Sequence, residues 1–192
     1  MHAPSPKPDQ DGDAGILDEL PGELMMWVLI VSELLVFGAG LAAFMGVRIS
    51  DPAGFAAARA HLDPALAGIN TIVLITSGFL AARSLELRLA MKRTAARLHL
   101  IGAMALGGLF LAIKIQEYAV KIEQGISTET HPFFTFYYLL TGFHAAHVLA
   151  GIVVLGLVAW KDEPRTIETG TAFWHMVDLI WVLLFPVIYV LG

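Results

Sequence analysis

Phe133-Phe134-Thr135-Phe136-Tyr137-Tyr138-Leu139-Leu140-Thr141-Gly142-Phe143-His144-Ala145-Ala146-His147-Val148 opens an apolar run that continues to Trp160 without a single Asp, Glu, Lys or Arg. A helix rises 1.5 Å per residue and needs about 20 mostly apolar residues to cross the hydrocarbon core, so this stretch is long enough to span a bilayer. Outward from it, four more segments reach or approach that length: Leu24 to Val47, Leu66 to Leu87, Leu98 to Val120 and Thr171 to Leu191. The weakest is the second, which is uncharged only from Leu66 to Ala82. The expected fold is therefore all-α, a polytopic transmembrane bundle of five membrane-spanning helices over residues 24–192, with no soluble catalytic domain.

Composition supports this class. The chain has 192 residues, is 57% hydrophobic and has a mean hydropathy of +0.70, too apolar for a soluble domain of that size. It has no cysteine, which excludes disulfides, thiolate-held zinc, iron–sulfur clusters and covalent c-type haem attachment. A net charge of −5 without a basic stripe argues against nucleic acid as a partner. Residues 1–23 gather Pro4, Pro6, Pro8 and Pro21 with Asp9, Asp11, Asp13, Asp18, Glu19 and Glu23. Such a segment buries too little apolar surface to order itself and reads as a disordered acidic tail on the cytoplasmic side. It lacks the basic start and apolar run of a cleavable signal. No internal repeat supports an inverted-repeat transporter.

Lys and Arg in short loops set orientation. Arg83, Arg88, Lys92, Arg93 and Arg97 lie around the link between spans two and three, and Lys161 and Arg165 lie between spans four and five. The other face has Arg48, Arg59 and Lys121. This places the amino terminus in the cytoplasm and the carboxyl terminus in the periplasm. Gly142, Ala146 and Ala150, and Gly108 with Ala112, form small-residue stripes expected to let helices approach closely.

The informative residues are those that lipid should reject: Glu33, Asn70, Lys114, Glu117, His144, His147, His175 and Asp178. A charge at mid-span costs roughly 3 kcal/mol, so each should face a partner or become neutral. Depth along the helices places Glu33, His144 and His147 in one layer near the midplane. Lys114 and Glu117 fall toward the outside, and His175 and Asp178 toward the cytoplasm. Three pairs are spaced i, i+3, on one helix face: Lys114 with Glu117, His144 with His147, and His175 with Asp178. Glu33 is either a proton-handling or polar-lipid-facing group or a protonated acid bonded to a neighbouring helix. His144 and His147 invite a metal, yet a carboxylate-bridged di-iron bundle wants Glu-x-x-His on two helices, and the nearest element here is the reverse, His175-x-x-Asp178. The reading is thus of no catalytic residue and no metal site.

The run from Phe136 to Val148 resembles the signature of subunit III of the haem-copper oxidases. Phe173-Trp174-His175-Met176-Val177-Asp178-Leu179-Ile180-Trp181 is similar to that family's last helix, Ser32-Glu33-Leu34-Leu35-Val36-Phe37 to the helix bearing its buried glutamate, and Asn70-Thr71 and Glu117-Tyr118 to two further elements. The resemblance implies an accessory subunit that binds no cofactor itself. It would pack beside the haem-bearing catalytic subunit of a haem-copper oxidase or nitric oxide reductase, contact membrane lipids including a bound phospholipid, and support assembly and sustained proton handling. Glu33 would take the buried-glutamate role, and Asn70, Glu117, His144, His147, His175 and Asp178 the family's intramembrane polar positions. Longer members have seven spans, and this chain starts where their third would, so the expected form is the short, five-helix one. The opening Leu20-Pro21-Gly22-Glu23-Leu24-Met25-Met26-Trp27 is similar to the nitric-oxide-reductase-associated NorE type. The alternatives are subunit III of an aerobic cytochrome c or quinol oxidase, a free-standing membrane metalloprotein on His144, His147 and Glu33, and a proton channel.

Overall fold

The computed structural model describes residues 24–191, so the acidic tail and Gly192 lie outside the described residues. All regular structure among these is helical: α1 (Leu24–Ser50), α2 (Pro52–Arg59), α3 (Pro64–Leu89), α4 (Arg93–Glu123), α5 (Pro132–Lys161) and α6 (Pro164–Phe185), the last continuing as a π-helical segment, Pro186–Leu191. Five of these are long and apolar enough to cross a membrane: α1, α3, α4, α5 and α6 with its extension.

Four helices begin with proline at the first helical position, where the missing N–H costs no hydrogen bond and the fixed φ suits a helix. Asp51 caps α2 through the Gly54 N–H, Asp63 caps α3 through the N–H groups of Ala65 and Leu66, and His131 caps α5 through the Phe133 N–H. The Gly54 N–H and the His131 ring beside it hold the Asp51 carboxyl below the usual carboxylate range. The short helix α2 was not expected from hydropathy, because at eight residues it cannot span; Asp51-Pro52 is the signal for it. The last helix starts at Pro164, seven residues before the Thr171 expected from apolarity. It opens with the polar turn Pro164-Arg165-Thr166, whose carbonyls the helix can use without burying the side chains.

Helices α3, α4, α5 and α6 close a ring in which each touches its neighbours, while α1 leans on α5 and α6 from outside. Trp174 fills the interior of the ring, and only glycine fits against it: a Cβ on Gly107 would come 2.7 Å from its ring and one on Gly151 2.6 Å. The anticipated stripes do not make these contacts. Gly108, Ala112, Ala146 and Ala150 are exposed, and a Cβ on Gly108 would meet nothing within 4 Å. The contact glycines sit one helical position away, on the faces that meet the indole.

Candidate functional site

The expected polar residues occur at successive depths of the bundle. In the last third of α4, Lys114 is 1% exposed and donates to Glu117 Oε2 at 2.9 Å and to the Tyr189 hydroxyl at 2.7 Å. Tyr137 and Tyr189 donate in turn to Glu117 Oε1, at 2.9 and 3.0 Å. The ammonium also stands 4.9 Å from the Tyr137 ring centre and 5.5 Å from that of Trp181, so aromatic faces supply part of the solvation that burial removes. Lys121 approaches the same carboxylate at 3.8 Å. The i, i+3 spacing identified the Lys114–Glu117 pair; Tyr137, Tyr189 and Lys121 were missed. Tyr189 enters through the π-helical segment. Pro186 cannot donate to the preceding turn, and the wider winding after it turns Tyr189 into the bundle.

In the middle layer the two histidines separate. His147 faces α1, its Nε2 3.2 Å from Glu33 Oε2. His144 is fully buried, stacked on Trp181 at 5.1 Å between centroids and packed against Phe110 and Phe37. Neither of its nitrogens has a protein hydrogen-bond partner. His147 Nδ1 lies 2.9 Å from the Phe143 carbonyl, which can only accept, so Nδ1 carries a proton. The contact to Glu33 is off the line of an aligned hydrogen bond, so it joins α1 to α5 as a close polar approach. Asn70 donates to the Phe110 carbonyl at 3.3 Å, and Trp181 is fixed by the Thr71 hydroxyl at 2.9 Å.

Further toward the start of α6 than Trp181, His175 Nδ1 lies 3.6 Å from Asp178 Oδ2. This carboxylate packs so tightly on α3 that a Cβ at Gly78 would collide with it. Because α6 begins early, the pair sits near the centre of its helix and not at its start, which corrects its expected place along the span. Beside it, Trp174 donates to Ser77, whose hydroxyl donates to the Ala103 carbonyl at 2.7 Å. Where α3 ends and α5 passes to α6 is a cluster that sequence reading missed. Asp162, in a left-handed conformation with φ 52°, accepts from Arg88 Nε at 2.9 Å, with Arg97 at 3.4 Å. Its signal was the break Asp162-Glu163-Pro164 between basic residues.

Among the described residues no three His, Cys, Asp or Glu side chains gather as metal ligands. The His-x-x-His spacing puts its two rings on diverging sides of α5, one toward Trp181 and one toward Glu33. What the polar layers do is join helices.

The model of the cytochrome c oxidase subunit III family matches residues 21–192. The chain belongs to that family. The cytochrome c oxidase subunit 3 of Synechocystis sp. is 30% identical to it over 174 residues, 85% of this chain and 73% of that protein. That of Corynebacterium diphtheriae is 30% identical over 173 residues, 84% of each. A protein named probable quinol oxidase subunit 3, from Staphylococcus saprophyticus, is 26% identical over 194 residues, 94% of this chain and 96% of that protein. Within this subunit III-family chain, the motifs around Glu33, Asn70, Glu117, His144 and His175 each lie in one of the five helices long enough to cross a membrane.

Proposed function

We propose that this chain is a non-catalytic accessory subunit of an aerobic respiratory oxidase of the haem-copper superfamily. It sits beside a haem-bearing catalytic subunit in the bacterial inner membrane, with its amino terminus cytoplasmic and its carboxyl terminus periplasmic. Its work is to support assembly and to keep proton handling going through sustained turnover. The observation that carries this reading is the family match across residues 21–192. The relatives named above are subunits of cytochrome c and quinol oxidases, and they favour the aerobic oxidase over the NorE type that the opening residues suggested. The separation of His144 from the Glu33–His147 pair supports an accessory role, because only two ligating groups converge there. The basic residues at the Arg88–Asp162 end support the orientation.

Affinity capture of the tagged chain from mild-detergent extracts tests the reading. A haem-bearing subunit should co-purify in stoichiometric amount, with oxygen reduction driven by cytochrome c or a quinol. Capture of a complex that reduces nitric oxide but not oxygen, or of the chain with no haem protein, would contradict it.

A further inference from the structure

Of the five long helices α6 is the most deeply packed, yet one edge of it faces outward between its contacts with α1 and α3. His175, Leu179 and Val182 lie along that edge at i, i+4 and i+7, and all three are exposed. Leucine and valine suit acyl chains; an imidazole does not. Counted over Pro164–Leu191, His175 lies about 4 Å from the middle of its span, and counted from Thr171 about 9 Å, whereas the hydrocarbon reaches about 15 Å from the midplane. At that depth the ring meets neither water nor headgroups.

The ring is held in place from behind. Its Nδ1 faces Asp178 Oδ2 at 3.6 Å, and both atoms stand over Gly78 of α3, where an added Cβ would come 3.4 Å from the nitrogen and collide with the carboxylate. Asp178 is more than nine-tenths buried and its Oδ1 has no hydrogen-bond partner, so His175 is the polar side chain that the fold sets beside this carboxylate. With Nδ1 turned inward, Nε2 is on the outer side of a side chain that is 47% exposed. An unpaired polar atom at this depth is costly in lipid, and a helix that supplies a hydrogen bond removes the cost. Nε2 accepts when the ring's proton is on Nδ1 and donates otherwise; a hydroxyl or a carboxamide can answer either way, and neither carries a charge into the membrane. A two-fold contact between copies of this chain would set the edge against itself and crowd two carboxylate–imidazole pairs into one layer.

We propose that this edge of α6 seats a membrane-spanning helix of the haem-bearing catalytic subunit, and that a hydroxyl or carboxamide on that helix hydrogen-bonds His175 Nε2. Asp178 is a positioning residue, acting through His175. The inference rests on the accessory-subunit reading and adds to it the face of contact and its polar anchor.

Photocrosslinking in the assembled complex tests the proposal. A benzophenone amino acid is placed at Leu179 of the tagged chain and, for comparison, at Leu109 on α4, which is equally exposed across the ring. Irradiation in the membrane should join Leu179, and not Leu109, to the haem-bearing subunit. His175→Leu should lower retention of the chain on that subunit roughly threefold or more during detergent washing, the worth of an interhelical hydrogen bond, and His175→Gln, which keeps a donor and an acceptor, should recover most of it. Equal crosslinking from Leu109, an adduct from Leu179 to lipid or to a second copy alone, or equal retention of His175→Leu and the parent overturns the proposal and leaves the accessory reading standing. A parent complex without a haem-bearing subunit overturns both. Should His175→Leu fail to fold, the crosslinking pattern decides alone.

Discussion

Glu117 neutralises a site that holds two ammonium groups, accepting from Lys114 directly and standing 3.8 Å from Lys121. Removing it by Glu117→Ala leaves buried positive charge without a counterion, a loss of about 3–5 kcal/mol. Pairing that change with Lys114→Met should recover much of it, because the second change removes the stranded charge; thermal unfolding in detergent measures both. Glu33 differs, since its contact with His147 is open on one side, the two side chains being 21% and 15% exposed. Glu33→Gln keeps the shape and removes the acid. The assembled complex is expected to form with normal haem content and to lose activity faster during turnover than the parent; failure to assemble would assign Glu33 a structural role. Lys114, Glu117, His175 and Asp178 were legible as pairs because i, i+3 spacing fixes a helix face. His144 and His147 share that spacing but diverge, because neighbouring side chains choose which edge of the face each ring takes.

At the scale of the helix, glycine position decides how close two backbones come. Gly107→Ala would press a methyl into Trp174 and should cost about 1–3 kcal/mol through overpacking. Gly108→Ala, one residue on, meets open space and should be neutral or stabilising by up to about 1 kcal/mol through helix propensity. Unfolding midpoints of the two variants check this, and equal effects would refute the packing scheme. Sequence pattern located the helices because membrane thickness sets a length that hydropathy can detect. It did not identify the contact glycines, because small-residue spacing is the same on every face and only a bulky partner such as Trp174 singles one out. It also missed α2, which is too short to register by apolarity, and the early start of α6.

Over the whole molecule, the ion cluster of Arg88, Arg97 and Asp162 lies at one end and Lys121, beside Glu117, at the other. The absence of native cysteine makes the orientation directly measurable. Lys92→Cys should react with a membrane-impermeant thiol reagent only from the cytoplasmic side, and Ser127→Cys only from the periplasmic side; the opposite pattern would reverse the proposed topology. Depth arithmetic separated Lys114 and Glu117 from Glu33 and His147, but it misplaced His175 and Asp178, because α6 begins at Pro164. The tyrosines around Glu117 were not legible, since Tyr189 arrives through a change of helical winding that follows Pro186. The most direct test of the accessory role is to strip this chain from an assembled, active complex with detergent and follow haem content and oxygen consumption through repeated turnover. The account predicts unchanged haem and an unchanged initial rate, followed by faster inactivation that adding the chain back prevents; haem leaving with this chain, or immediate loss of the initial rate in a complex otherwise intact, would contradict it.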